Sequence, residues 1–583
     1  MSHERELSSS SAPTHRGMDR RHWIKHTATL AGGSAAGAAL VAAGCAPAAP
    51  APSQPAATAG TGTASISTPD NAVVATGAGK VRGFVRNGVY VFKGIPYGDT
   101  TAGENRFLAP KPPKPWSDVR ATVAWGPVSP HGPRAGWINQ EEQFLYHWDD
   151  GFATEDMLRV NVWTPGVNDG GKRPVLVWIH GGGYASGSSQ ELRPYDGERL
   201  AREHGAVLVS MNHRLNVFGF LDLSQIGGEK YAQSGNVSML DLVQSLQWVL
   251  DNIANFGGDP GNVTIFGQSG GGGKLTTLMA MPAAKGLFHK AVAMSGSFIG
   301  ASTREASKTL ALAVMKELGI SASQVARLHT VSTDALLNAG IAAAQKVAPF
   351  GFPAPGVLPK INLGWQPVVD GVVLPETPFE TAAPALSAGI PFMLGSVFHE
   401  FTTGIDKPQA HLATWEQVTE SLTPQLGART GPAIDAYRKV LPNAKPFEIA
   451  GVIGADLFRR GAIHQTDLKA KQGGAPVYAY WFGWKTPVLD GRPLAFHCQD
   501  LAFWFDNIDL CLQATGGGDD ARKLATQMSR SLVAFAKTGD PNHDGIPKWA
   551  PFTEASRAMM VWDTTSDVKI DPDQAARQTL VPA

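Results

Sequence analysis

Ser269 stands at the centre of Gly267-Gln268-Ser269-Gly270-Gly271, after the apolar run Val263-Thr264-Ile265-Phe266 and before the helix-permissive stretch from Lys274 to Met281. That order predicts a strand, a sharp turn and a helix, with a serine at the apex. So tight a turn is strained and brings backbone against backbone, which glycine neighbours allow and larger side chains block. The pentapeptide alone constrains little, because the chain holds 65 glycines and a chance match on the order of once per chain is expected. The constraint comes from the strand and helix that flank it.

A second glycine cluster, His180-Gly181-Gly182-Gly183-Tyr184, follows the strand-like run Val175-Leu176-Val177-Trp178-Ile179. Three glycines after a buried strand expose successive N–H groups, which can hold a developing oxyanion. A merely flexible turn is the alternative, but paired with a serine elbow in one chain the cluster points to acyl transfer. The runs Val175–Ile179, Ala206–Met211, Val263–Phe266 and Ala291–Met294 are short and continuously apolar, as strands are when helices cover both faces of a parallel sheet. Leu242, Leu246, Val249 and Ile253 fall at helical spacing and predict a core-facing helix that ends near Phe256-Gly257-Gly258. The alternation predicts an α/β fold with a mainly parallel central sheet and helices on both faces. Ligands then bind at the carboxyl ends of the strands, where both glycine clusters lie. The proline- and glycine-rich part from Val347 to Pro375 reads as an excursion that helps form a cap over the site.

The stretch from Phe256 to Gly271, Phe-Gly-Gly-Asp-Pro-Gly-Asn-Val-Thr-Ile-Phe-Gly-Gln-Ser-Gly-Gly, resembles the serine signature of the type-B carboxylesterase family. Phe92-Lys93-Gly94-Ile95-Pro96-Tyr97, the segment from Glu155 to Val162 and Thr538-Gly539-Asp540-Pro541-Asn542 follow that family's order, so the likeness spans roughly residues 71 to 575. The resemblance implies the α/β-hydrolase fold and a serine ester hydrolase that needs no cofactor or metal. Some members of that superfamily are adhesion modules without the catalytic serine. Here serine, acid, histidine and triple glycine are all present, which favours an enzyme over a binding module.

A serine hydroxyl becomes nucleophilic when a histidine takes its proton, and a carboxylate must orient that histidine. In this fold the order along the chain is serine, acid, histidine. Glu400 is the expected acid: an apolar run from Met393 leads into a turn that carries it, similar to the family's acid segment. Of the histidines beyond it, His464 and His543 read as surface residues and His411 has little around it. His497, between the turn Asp490-Gly491-Arg492-Pro493 and the apolar Leu501, Phe503 and Phe505, resembles the family's His-x-x-acid-Leu segment, with Asp500 as its acid. His399 is excluded because neighbours in extended chain point opposite ways. The resemblance further implies the N–H groups of Gly182, Gly183 and Gly270 as oxyanion donors. Ser295 reads either as a supporting hydroxyl near the acid or as a small residue ending a strand.

Cholinesterases carry glutamate before the nucleophile, whereas this chain has neutral Gln268. Trp148 reads as core or rim rather than as a cation-binding tryptophan. The expected substrate is a small neutral ester with an aryl or alkyl portion, in a pocket walled by Tyr184, Phe298, Phe401 and Trp504. Carbamates, lipids and bulky natural-product esters stay open, since pocket shape decides among them.

Lysine plus arginine equal aspartate plus glutamate at 50 each, which argues against a nucleic-acid partner. Within 583 residues, 43% hydrophobic and 17% charged content predicts a globular chain with a large core. Residues 1–44 read as an export signal: Arg20-Arg21 resembles a twin-arginine motif, followed by a small-residue apolar stretch from Ala28 to Ala43. Met18 just precedes it and is an alternative start. Val41-Ala42-Ala43-Gly44-Cys45 resembles a bacterial lipoprotein box with Cys45 as the lipidated residue; ordinary signal cleavage is the alternative. Residues 45–70 read as an Ala/Pro/Ser/Thr-rich tether and 71–583 as the catalytic domain. The chain is thus expected to be an exported bacterial protein, periplasmic or at the cell surface, tethered to a membrane through Cys45 or otherwise secreted. In the family a disulfide often joins the Glu-Asp-Cys-Leu segment to an upstream cysteine. Met157 and Ser129 stand at those places, so no bridge is expected there. Cys498 and Cys511 read first as buried free thiols, with a bridge as the alternative.

Overall fold

The computed structural model describes residues 65–66, 71–132, 140–149, 151–358, 360–401 and 408–582. The export signal, Cys45 and nearly all of the tether lie outside the described residues.

Fifteen strands occur among the described residues: β1 Ser65–Ile66, β2 Val73–Thr76, β3 Gly79–Arg82, β4 Phe84–Arg86, β5 Val89–Pro96, β6 Arg120–Ala121, β7 Arg159–Thr164 and β8 Arg173–Ile179 come first. They are followed by β9 Val207–Met211, β10 Gly258–Gln268, β11 Lys290–Met294, β12 Phe392–Val397, β13 Val477–Phe482, β14 Ala558–Trp562 and β15 Asp567–Ile570. Twelve of these form one sheet in the order β1-β4-β5-β7-β9-β8-β10-β11-β12-β13-β14-β15; β2, β3 and β6 form a small second sheet. From β9 through β14 every pairing is parallel, as expected, but both flanks are antiparallel, so the whole sheet is mixed. β1 corrects the expected tether boundary: Ser65 and Ile66 pair with Arg86 and Val85, so the folded part begins before residue 71.

The continuous apolar runs feed two cores at once. Val175, Val177 and Ile179 of β8 face one core and Leu176 and Trp178 the other; Val263 and Ile265 of β10 oppose Phe266 in the same way. Alternation of side chains across a strand makes this unavoidable, so both faces must be apolar. Leu242, Leu246 and Val249 of the helix Val237–Asn252 cover the first face. Leu524, Met528, Leu532 and Phe535 of the helix Asp519–Thr538 cover the second. The first helix passes into a 3₁₀ turn, Ile253–Phe256, and Gly257 closes it in the left-handed region (φ 72°), where glycine carries no penalty.

Near the C-terminus a buried ion cluster fastens three elements together. Arg459 binds Asp573 at 2.6 Å, Arg577 binds both Asp573 and Asp571, and Arg557 binds Asp571 at 2.8 Å. Arg459 lies on the helix Asp456–Gln472, beside Phe458, which reaches the functional site. Removing one partner of a buried cluster leaves unpaired charge, at a cost of roughly 3–5 kcal/mol. Asp573→Ala should therefore lower the thermal unfolding midpoint clearly. Differential scanning fluorimetry against wild type checks this, and an unchanged midpoint would show that the cluster contributes little.

Candidate active site

β10 and the helix Gly270–Leu278 meet at Ser269, whose backbone sits at φ 54°, ψ −124°. A non-glycine residue at positive φ is strained. Its neighbours show what holds it there: a Cβ on Gly271 would lie 2.1 Å from the carbonyl oxygen of Ile179, and one on Gly270 would lie 2.2 Å from that of Gly183. The elbow is thus clamped by direct backbone contact with the end of β8 and the triple-glycine turn. The Ser269 N–H donates to the Met294 carbonyl at 2.8 Å, fastening the apex to β11 as well.

Glu400 and His497 meet from separate segments. Glu400 follows β12 at φ 47° and His497 lies in the loop before the helix Leu501–Trp504; an isolated β-bridge joins Glu400 to Phe496. The His497 Nδ1–H donates to Glu400 Oε2, and both side chains are buried. The carboxylate so fixes the tautomer that leaves Nε2 with its lone pair. Glu400 Oε1 accepts from Val397 N–H at 3.1 Å, which also reaches the Ser295 hydroxyl oxygen at 3.3 Å. Ser295 directly follows β11 and shares with Glu400 the N–H of the turn that carries the carboxylate, so its position fits both readings. The Tyr146 hydroxyl donates to the His497 carbonyl at 2.6 Å, and the rings of Phe401 and Phe458 cover the imidazole, 3.9 Å and 5.3 Å from its centroid.

Gln268 reaches the same imidazole. Its amide N–H donates to His497 Nε2 at 3.0 Å, while its carbonyl accepts from the Cys498 thiol at 3.2 Å. A neutral amide can bridge a basic nitrogen and a thiol in this way, and a carboxylate in its place cannot donate. Gly182 (φ 77°) and Gly183 (φ 60°) turn in the left-handed region. Among the described residues no backbone acceptor takes the N–H of Gly182, Gly183 or Gly270. Gly270 opens its helix, where the N–H has no helical acceptor.

Ser269 and His497 line one cavity of about 630 Å³. Tyr184, Phe298 and Phe401 line it as expected, joined by Phe350, Phe352 and Trp365 from the excursion after Val347 and by Phe458. Trp148 lies on its wall and stacks on Tyr146. Trp504 does not line it, correcting the expectation: its helix turns the ring inward, edge-on to Tyr480 and Trp562 in the second core. His464 and His543 are half-buried rather than superficial, their Nε2 atoms on the carbonyls of Phe379 and Gln527. Cys498 and Cys511 are free thiols. In the sequence Gln268 stands out only as neutral, and Tyr146 and Phe458 carry no signal, because tertiary folding alone brings them to His497.

Residues 70–579 match the model of the carboxylesterase family. The chain belongs to that family. It is 34% identical over 518 residues to the para-nitrobenzyl esterase of Bacillus subtilis (strain 168), covering 88% of this chain and 99% of that protein. Phenmedipham hydrolase of Pseudarthrobacter oxydans is 33% identical over 523 residues, covering 87% and 99%. Among solved structures, an esterase from Clostridium hathewayi that can hydrolyse aliphatic aromatic polyesters superposes with a TM-score of 0.75 at 33% identity, covering 89% of this chain and 99% of that one. The fold is that of the α/β-hydrolases, and the chain is a serine carboxylesterase that hydrolyses carboxylic esters.

Asp500, behind His497, is a fully buried carboxyl held by Tyr480 OH and Trp504 Nε1, each at 3.3 Å. Burial, and then the nearby Glu400 charge, push it up to about 7. An acid raised above its unfolded value of about 3.9 binds its proton more tightly when folded. Its contribution to stability is therefore complete below about pH 4 and is lost as pH rises through about 7. Asp500→Asn keeps the neutral shape at every pH, so its stability relative to wild type should rise between mildly acidic and mildly alkaline buffer. Urea melts at the two pH values check this; a constant difference would show that Asp500 does not titrate in that window.

Proposed function

We propose that Ser269 is the nucleophile of this carboxylesterase, His497 its base and Glu400 the residue that orients the base, with Gly182, Gly183 and Gly270 N–H as oxyanion donors. The observation that carries the reading is that Ser269, on a strained elbow, opens into the same cavity as a histidine already clasped to a buried carboxylate. In the reaction Nε2 exchanges the Gln268 amide for the Ser269 hydroxyl and takes its proton as Oγ attacks the ester carbonyl. The tetrahedral oxyanion is held by the glycine N–H groups. Collapse expels the alcohol, which receives the proton from His497, and leaves an acyl-serine. Water then attacks with the same histidine as base, releasing the acid and Ser269.

The substrates proposed are neutral esters with a bulky aryl or alkyl portion. Phe298, Phe350, Phe352, Phe401, Phe458 and Trp365 give the cavity apolar walls, and neutral Gln268 puts no charge beside the nucleophile. The polyester-hydrolysing relative supports the same class. Ser269→Ala should fold and lose kcat by on the order of 10⁶. A fluorophosphonate should label Ser269 in wild type alone, and comparable labelling of the variant would refute the assignment. An ester panel graded in alcohol bulk should show kcat/KM for bulky aryl esters falling in Phe352→Ala more than for methyl esters.

We also propose export in folded form through Arg20-Arg21 and retention at a membrane through lipidated Cys45. Among the described residues no helix is long and apolar enough to cross a membrane. One acyl chain binds only marginally, so stable retention needs a second, as in bacterial lipoproteins. Cys45→Ala should release active enzyme, and Lys at both Arg20 and Arg21 should leave precursor in the cytoplasm. Wild-type enzyme that is fully soluble outside the inner membrane, with a mature N-terminus other than Cys45, would refute the anchor.

A further inference from the structure

Lys274 lies on the helix Gly270–Leu278, just beneath the elbow, and is completely buried. Its Nζ donates to the carbonyl oxygens of His180 at 3.0 Å and Gly181 at 3.2 Å. Both carbonyls belong to the triple-glycine turn. Among the described residues Lys274 has no ion-pair partner; Glu191 is the carboxylate whose field reaches it. Burying an ammonium without a paired carboxylate is costly, so the placement calls for a reason beyond packing.

The peptide unit itself supplies that reason. The Gly181 carbonyl and the Gly182 N–H are the two ends of one planar trans unit, pointing in opposite directions. An ammonium on the oxygen end pins the unit's orientation and draws electron density from it, making the N–H at the other end a stronger donor. A Cβ on Gly181 would lie 3.4 Å from Ser269 Cβ, so this unit runs alongside the nucleophile.

We propose that Lys274 is a positioning residue of the oxyanion hole: its ammonium grips the His180 and Gly181 carbonyls from inside the turn, so that the Gly182 N–H faces and polarises toward the developing oxyanion. This rests on the reading of Ser269 as nucleophile and Gly182 as donor. The elbow and the hole are thereby joined through one side chain, since Lys274 stands five residues after Ser269 on the same helix.

The assignment makes the hole sensitive to alkali. No other titratable group lies on this helix. His180 faces Lys274 from the end of β8 and His213 from the end of β9; Arg214 beside it is paired with Asp241 of the helix Val237–Asn252. Glu191 acts from beyond the glycine turn. Burial holds both histidines well below their ordinary range, so they stay neutral. Burial also pushes the Lys274 ammonium down to about 7, opposed by Glu191. Rising pH therefore removes the charge that grips the turn, while an oxyanion in the hole favours keeping it.

The test compares full-length wild type with Lys274→Met, each counted by fluorophosphonate titration so that unfolded protein drops out. Steady-state rates are read from about pH 5 to 10, with binding of a trifluoromethyl ketone, which adds to the nucleophile as an anionic hemiketal, and of a product alcohol. Lys274→Met should lower kcat roughly 10- to 100-fold with little change in KM. It should weaken the ketone by the same factor and leave the alcohol unchanged. Wild type should fall on the alkaline side toward the variant's rate, and the variant should lack that fall. Wild-type kcat in the variant, or ketone and alcohol weakened alike, would overturn the proposal. If the variant yields no titratable sites, wild type decides: a rate and ketone affinity that hold steady through the alkaline side overturn it, and a joint fall supports it. Failure of Ser269 to take the label in wild type is a different result, which would overturn the nucleophile assignment itself.

Discussion

Everything at this site depends on backbone packed directly against backbone around Ser269. The apex is held at positive φ because β8, β10, β11 and the triple-glycine turn converge on it with no side chains between them. Local strain of this kind costs about 1–3 kcal/mol and persists only where surroundings over-determine it. Here they do, since the same contact that strains the serine sets Gly183 against Gly270. One close approach thus positions Ser269 and two candidate donors at once, and a methyl group at Gly270 would separate them.

The remaining machinery is arranged by the opposite means, through buried polar side chains. Glu400 is tied to Val397 N–H and to His497, and among the described residues Asp500 behind it has no cation partner. Two carboxyls in one apolar region cannot both stay charged at low cost. Their environments separate them: Glu400 has the imidazole and a backbone donor, whereas Asp500 has a phenol, an indole and its own backbone N–H. The result is one carboxylate bound to an imidazole and one carboxyl that keeps its proton up to about 7.

The sequence made the parallel centre of the sheet, the elbow at Ser269 and the pairing of Glu400 with His497 legible, each for a physical reason. Runs such as Val175–Ile179 are apolar at every position because both faces are covered, and glycines crowd the elbow because backbones touch there. The antiparallel flanks were not legible, since strands such as Phe84–Arg86 are short and half-buried and carry no continuous apolar run. Trp504 was misplaced because an aromatic residue near a histidine looks the same whether its helix turns the ring toward the cavity or into the core. Lys274 had no signal, since a lysine in a helix normally means a solvated face; only the fold shows that its helix is buried on every side.

The cavity links these two modes of construction. Phe401 and Phe458 cover His497, and Phe350 and Phe352 extend the same apolar surface outward from the excursion after Val347. Apolar walls suit the proposed substrates, because a neutral apolar ester gains by leaving water while a charged one loses its hydration. Phe458 sits next to Arg459, so the ion cluster with Asp573 and Asp571, far from the elbow in sequence, fastens the helix that brings Phe458 to His497.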